Sequence, residues 1–231
     1  MSRGANSGFR LPGNRKPDAR AFSLLELLTV VAVIGILAAL IFPTIGAARR
    51  SANRAKTKVQ FSQWSAAIES FRGEYGYYPQ FHSTNLVNGG ASTSLAGDHL
   101  FHDILAGRKR DGSALANGSA AATQNRKRLT FYSFAEDDFT AADTATPNLL
   151  RNAFDNLSIA VLVDRNLDGK IDNADYDTWP AVGWPDGTTA RPDSGLASSG
   201  IPFGGVRAGV IFYCADPAST PADPEFIFSW K

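Results

Sequence analysis

The sequence is short of the residues that most enzymes and metal centres are built from: one cysteine, one methionine and three histidines in 231 residues. A single cysteine, Cys214, excludes an intrachain disulfide, so a domain in an oxidising compartment has to be held by packing or by metal. Its setting, "VIFYCAD", reads as a buried strand with an inert thiol. The histidines are His82, His99 and His102, and the spacing of three could bring His99 and His102 to one helix face. With no third ligand nearby they read as solvated side chains and not as a metal pair. No Ser or Cys sits in a nucleophile elbow, and no Gly-rich phosphate loop follows a strand. The basic clusters at residues 108–110 and 126–128 are not interleaved with aromatics, so they read as solvated faces and nucleic acid is not an expected partner. No enzymatic activity is expected.

What the chain has is one long apolar run. "RAFSLLELLTVVAVIGILAALIFP" begins at Arg20, and from Leu27 through Ala48 no side chain is charged. That length is close to the roughly 20 residues an α-helix needs to cross a bilayer core. Gly35 and Pro43 are compatible with it, because both occur more often in membrane helices than in soluble ones. One carboxylate, Glu26, stands near its start, where an unpaired charge is costly and points to a partner. Three plainer readings compete. Glu26 lies in the headgroup region, or the run is the core of a secretory signal peptide behind Arg3, Arg10, Arg15, Lys16 and Arg20, or the helix is a simple anchor. Basic residues also follow the run, at Arg49, Arg50, Arg54, Lys56 and Lys58, so flanking charge does not set its orientation.

The formal net charge of +1 hides two unlike halves: 17 Lys and Arg against 7 Asp and Glu before residue 131, and 6 against 15 after it. Beyond Pro43 the helical pattern continues, with Phe61, Trp64, Ile68, Phe71 and Tyr75 spaced alternately by three and four along one face. "EYGYYP" ends it, since Gly76 can take a left-handed conformation and Pro79 cannot continue a helix. After that come candidate strands at residues 129–134, 157–163, 206–213 and 225–230, separated by long polar loops at 81–98, 111–127 and 178–205. The expected fold class is α+β: a long N-terminal helix, membrane-embedded in its first half and amphipathic in its second, packed on one face of a small antiparallel sheet.

The strongest local chemistry is "DRNLDGKIDNAD". Asp164, Asn166, Asp168, Asp172 and Asp175 supply side-chain oxygens at positions one, three, five, nine and twelve, Lys170 supplies a backbone carbonyl at seven, and Gly169 occupies the sixth position. This is the order of an EF-hand-type calcium loop, with Asp in place of Glu at the last position. Calcium is the expected cofactor, with the Lys170 ammonium turned outward. The competing reading is an Asp-rich β-turn after the strand "IAVLV".

The N-terminal run resembles the signature of type IV prepilins and type II secretion pseudopilins: a basic leader, a cleavage point, Phe, Glu at the fifth mature position, and a long apolar helix with Pro near its middle. Ala21 stands where that family usually has Gly. The resemblance implies a leader at 1–21 cut between Ala21 and Phe22 by a prepilin peptidase, which also methylates the Phe22 amine. It implies a pilin-type helix over 22–72, with its membrane part at about 22–48, and a periplasmic head over 73–231. Glu26 would pair with a neighbouring subunit's N-terminal ammonium and fix register in a helical filament, with Pro43 also serving assembly. The order of later motifs, down to the terminal "FSWK", is similar to the major pseudopilin. That implies a structural subunit, single-pass in the inner membrane, with itself, other pseudopilins, the peptidase and an inner-membrane assembly platform as partners. The alternatives are a type IV pilus subunit for adhesion, motility or DNA uptake, and a secreted dockerin-like calcium module with a cleaved signal peptide.

Overall fold

The computed structural model describes residues 23–90, 99–140, 149–184, 186–192, 202, 204–220 and 222–231, and leaves out the side chains of residues 40–44. Ala21 and Phe22 therefore lie outside the described residues, as does the side chain of Pro43. The chain divides into two compact units, Met1–Ala48 and Arg49–Lys231.

Helix α1 (Leu24–Tyr75) is 52 residues long. It starts on a capping box: Leu25 N donates to Ser23 Oγ (3.3 Å) and Ser23 N donates to Glu26 Oε2 (3.1 Å), so two amides that the helix leaves unpaired are satisfied. Glu26 is thus the third residue of the helix as well as the one carboxylate of the apolar run. In the N-terminal unit the large apolar side chains are exposed all round the helix, Leu24 at 83% and Ile36 at 64%. At the other end Gly76, at φ +78°, donates its N–H to Arg72 O (2.7 Å) and stops the helix where the sequence expects it.

The second unit is built on the aromatic stripe of α1. Phe61, Trp64, Ile68 and Phe71 are fully buried, and Tyr75 is half-buried. Phe61, Trp64 and Ile68 meet a three-stranded antiparallel sheet of β1 (Ile159–Val163), β4 (Val210–Ala215) and β5 (Phe226–Phe228), in the order β1-β4-β5, while Phe71 and Tyr75 pack in a separate cluster with Ile104, Leu115 and Ala121. Register places Val161 opposite Phe212 and Cys214 opposite Ile227. Phe212 stacks on Phe61 (5.4 Å between ring centroids) and leans on Trp64 (5.6 Å). Helix α2 (Leu100–Ala106) closes that core with Phe101 and Leu105.

The expectation of a sheet covered on one face is corrected here. Ile159, Val161 and Val163 face the helix stripe, while Ala160, Leu162, Ile211 and Tyr213 enter a second core with Tyr176, Trp179 and Trp184. That is why β1 reads "IAVLV" with no polar alternation: both faces are buried. The loop at 178–205 contributes to this cover with a two-stranded hairpin of β2 (Val182–Gly183) and β3 (Thr189–Ala190).

Residues 129–134 are not a strand. Phe131 N and Tyr132 N both donate to Leu105 O (2.8 and 3.1 Å), and Thr130 Oγ1 donates to Ala106 O. Buried Asn125 donates to Ile104 O and Leu129 O and accepts from Leu129 N, so the segment is tied to the end of α2 and not to a ladder. Helix α3 (Ala120–Gln124) lies in the loop at 111–127, capped by Ser119. The strand expected at 206–213 begins at Val210, and Val206 instead makes an isolated bridge with Ile171.

Replacing Phe212 by Ala removes the ring that joins the helix stripe to the sheet. We expect a loss of about 3–5 kcal/mol in unfolding free energy, measured by urea titration of the Trp fluorescence. A loss below about 1 kcal/mol would show that the stripe and the sheet do not share one core.

Candidate functional site

Two regions carry the sequence-predicted site residues. The first is the start of α1. Glu26 is exposed, its carboxylate holds the Ser23 amide, and its carbonyl accepts from Thr29 Oγ1 (2.9 Å). The arrangement keeps a carboxylate at the positive end of the helix dipole, where a negative charge is favoured. Ser23 was the missed partner; the spacing Ser-x-x-Glu in "SLLE" was the signal that could have found it.

The second region is the Asp-rich loop that leaves β1. Asp164 is buried, and its two carboxylate oxygens accept from Asp168 N (3.3 Å) and Gly169 N (2.8 Å). Gly169 sits at φ +87°, a conformation that the sharp turn demands and that other residues rarely adopt. At the far end Asp175 is buried too: Oδ1 accepts from Arg165 N (2.9 Å) and Asn166 N (3.1 Å), and Oδ2 accepts from Asp172 N (3.2 Å). Asn166 Oδ1 accepts from Asp168 N (3.0 Å) and its amide donates to Asp168 Oδ2 (3.1 Å). The first and last residues of the motif thus fold the loop back on itself, and Ile171 pins its middle through paired backbone bonds to Val206 (2.8 and 2.9 Å).

Lys170 does not turn outward. Its ammonium pairs with Asp172 Oδ2 and lies 3.8 Å from Asp168 Oδ2. The hydrogen bond to Lys170 holds the Asp172 carboxyl below its ordinary value, and the same bond raises Lys170. The donor set is all oxygen and suits a hard cation. Among the described residues, however, no group of three or more His, Cys, Asp or Glu side chains is gathered so that it could hold a metal ion. Asp164 and Asp175 spend their oxygens on backbone amides, and Asp172 spends one on Lys170.

The loop is wired to the sheet edge by a residue the sequence did not single out. Arg165 lies over the Tyr176 ring (4.1 Å to the centroid), donates to Asn85 Oδ1 (3.0 Å) and donates to Asp175 O (3.3 Å). The Tyr176 hydroxyl accepts from Val163 N (2.9 Å) and donates to Val163 O (3.0 Å), which closes the open end of edge strand β1. Burial pushes the Tyr176 phenol up, keeping it a neutral donor.

Of the remaining candidates, His82 lines a cavity with Asp164, Arg165 and Tyr176. Cys214 is fully buried, and burial pushes its thiol up to about 12, in keeping with an inert core residue. His102 is buried and not solvated, sharing a hydrogen bond with Asp103 Oδ1 (2.9 Å) and packing on Phe134 (4.8 Å). His99 precedes α2 and is half-buried, as is His82.

Comparison with known proteins matches residues 16–42 to the prokaryotic N-terminal methylation motif. No curated protein and no solved structure matches the chain. The motif supports a type IV pilin-like protein, a class of structural subunits that a prepilin peptidase processes and that polymerise with themselves. It implies a membrane-anchored N-terminus, whereas among the described residues no helix is long and apolar enough to cross a membrane.

Proposed function

We propose that this chain is a structural subunit of a helical pseudopilus of a type II secretion-like system, made as a precursor in the inner membrane with its head in the periplasm. The observation that carries the reading is the coincidence of two features over one segment. The methylation motif covers residues 16–42, and from Leu24 the same residues form a helix whose apolar side chains are exposed on every side. Cleavage between Ala21 and Phe22 would put a new ammonium four residues before Glu26. In the free chain the Glu26 carboxylate is held by the Ser23 amide, already pointing at the helix start. In a filament it would meet a neighbour's Phe22 ammonium, a pairing that a buried carboxylate requires and that a subunit out of register would leave unmade. Gly35 supports close packing between copies, since nothing lies within 4 Å of the Cβ it lacks and no contact inside the chain asks for glycine there. Pro43 falls within the helix, in the part that would stack in the filament core.

We place calcium in the loop from Asp164 to Asp175. The ion would be held by Asp164, Asn166, Asp168, Asp172 and Asp175 with the Lys170 carbonyl, and it would supply the positive charge that the Lys170 ammonium now supplies. Its effect would be to stiffen the loop and, through Arg165 and Tyr176, the Val163 end of β1.

The N-terminal sequence and intact mass of the protein recovered from membranes test the filament reading. The expected species begins at methylated Phe22 and keeps the apolar helix; a species that starts near Ala48 or later would overturn it in favour of a secreted module. For calcium, a millimolar excess should raise the thermal midpoint of the chain, by about 2.7 kcal/mol of stabilisation at a hundredfold excess over Kd. Asp168→Ala should abolish that shift while leaving the metal-free midpoint nearly unchanged, because Asp168 is exposed. No calcium-dependent shift in the unaltered chain would remove calcium from the account.

A further inference from the structure

Five cations follow the apolar run within ten residues: Arg49, Arg50, Arg54, Lys56 and Lys58. The fold divides their labour. Arg54 reaches the buried Asp216 and, at 2.9 Å, Glu225, while Lys58 donates to the Lys231 carbonyl. These two tie the helix to the C-terminal end of the head. Arg49, Arg50 and Lys56 are exposed, and among the described residues none of them enters an ion pair. Arg49 and Lys56, seven residues apart, share a helix face, with Arg50 about 100° round from it.

Three unpaired cations directly after an apolar run need a reason, because they weaken the orienting charge asymmetry that a membrane segment ordinarily uses. Their position supplies one. At 1.5 Å per residue, Arg49 and Arg50 lie within about 3 Å of helix beyond Ala48, and Lys56 within about 12 Å. The headgroup layer on each side of a bilayer is only about 5–8 Å deep. Helix side chains tilt toward the N-terminus, so a long lysine stem one or two turns on leans back toward that layer and can bring its ammonium into it. A second copy of the chain is a poorer partner, because many head carboxylates are already engaged: Glu136 by Arg110, Asp155 by Arg151, Asp172 by Lys170 and Glu225 by Arg54.

We infer that Arg49, Arg50 and Lys56 form a docking surface for anionic phospholipid headgroups, which holds the unassembled subunit at a fixed depth in the membrane. The inference rests on the membrane-anchored reading above and adds the lipid class that the collar recognises. Release of these contacts then accompanies movement of the subunit from the bilayer into a filament.

The test uses the full chain in nanodiscs of phosphatidylcholine alone or with one third phosphatidylglycerol, read by amide hydrogen exchange over residues 49–60. Phosphatidylglycerol should slow exchange there by roughly an order of magnitude. Half-molar salt should reverse the effect, and the triple variant Arg49→Gln, Arg50→Gln and Lys56→Gln should lose it while head peptides remain unchanged. Equal exchange in both discs, with the chain inserted, would overturn the lipid assignment and leave the anchor standing. Protection that rises with protein concentration whatever the lipid would overturn it in favour of a second copy. Failure to enter discs of either kind would overturn the anchoring itself and the inference with it.

Discussion

A helix that is apolar on every side must be covered by something, and among the described residues the large apolar side chains from Leu24 to Leu37 are exposed. Leu24, Leu25, Leu27, Leu28, Val30, Val31, Val33, Ile34, Ile36 and Leu37 are all exposed, and those positions run right round α1. Each such side chain left in water forgoes roughly 1.5–3 kcal/mol, so ten of them together exceed the stability of an ordinary domain. Lipid is one cover and a bundle of identical helices is another, and a filament subunit drawn from a membrane exchanges the first for the second.

The rest of the molecule is consistent with a head whose job is to be rigid. The stripe of α1 enters a core shared with β1 and β4, and the other face of the sheet is sealed by Tyr176, Trp179 and Trp184. Buried asparagines replace strand pairing where the chain is irregular: Asn125 ties residue 129 to the end of α2, and Asn88 donates to Leu150 O and Leu157 O. Such bonds are direction-specific, so they fix loop paths that apolar contact alone would leave loose.

Much of this was legible in the sequence, and the parts that were not share a cause. The stripe at Phe61, Trp64, Ile68 and Phe71 announced itself by spacing, as did the stop at Gly76 and three of the four strands, because those signals are local. Residues 129–134 have strand-like composition, yet their amides are taken by Leu105, a partner 26 residues back, which no local pattern reports. The Arg54–Glu225 contact spans 171 positions and was equally silent. In the candidate sites, the order of oxygens from Asp164 to Asp175 was readable. That Lys170 would turn its ammonium onto Asp172 was not, since the sequence fixes a position on the loop but not the rotamer of a long flexible side chain. Ser23 is the opposite case: the Ser-x-x-Glu pattern is present in four letters, and it marks an ordinary helix cap.

The measurement that bears most directly on the account is photo-crosslinking from α1 in cells that make the chain together with its processing peptidase and assembly machinery. A photo-reactive phenylalanine analogue in place of Leu28 samples whatever covers the exposed apolar face. The account predicts an open ladder of crosslinked species from dimer through trimer and upward, collapsing to monomer when Glu26→Gln is added, because a head-to-tail helical contact does not close. A product that stops at the dimer, or that is confined to lipid in the assembled fraction, would contradict it.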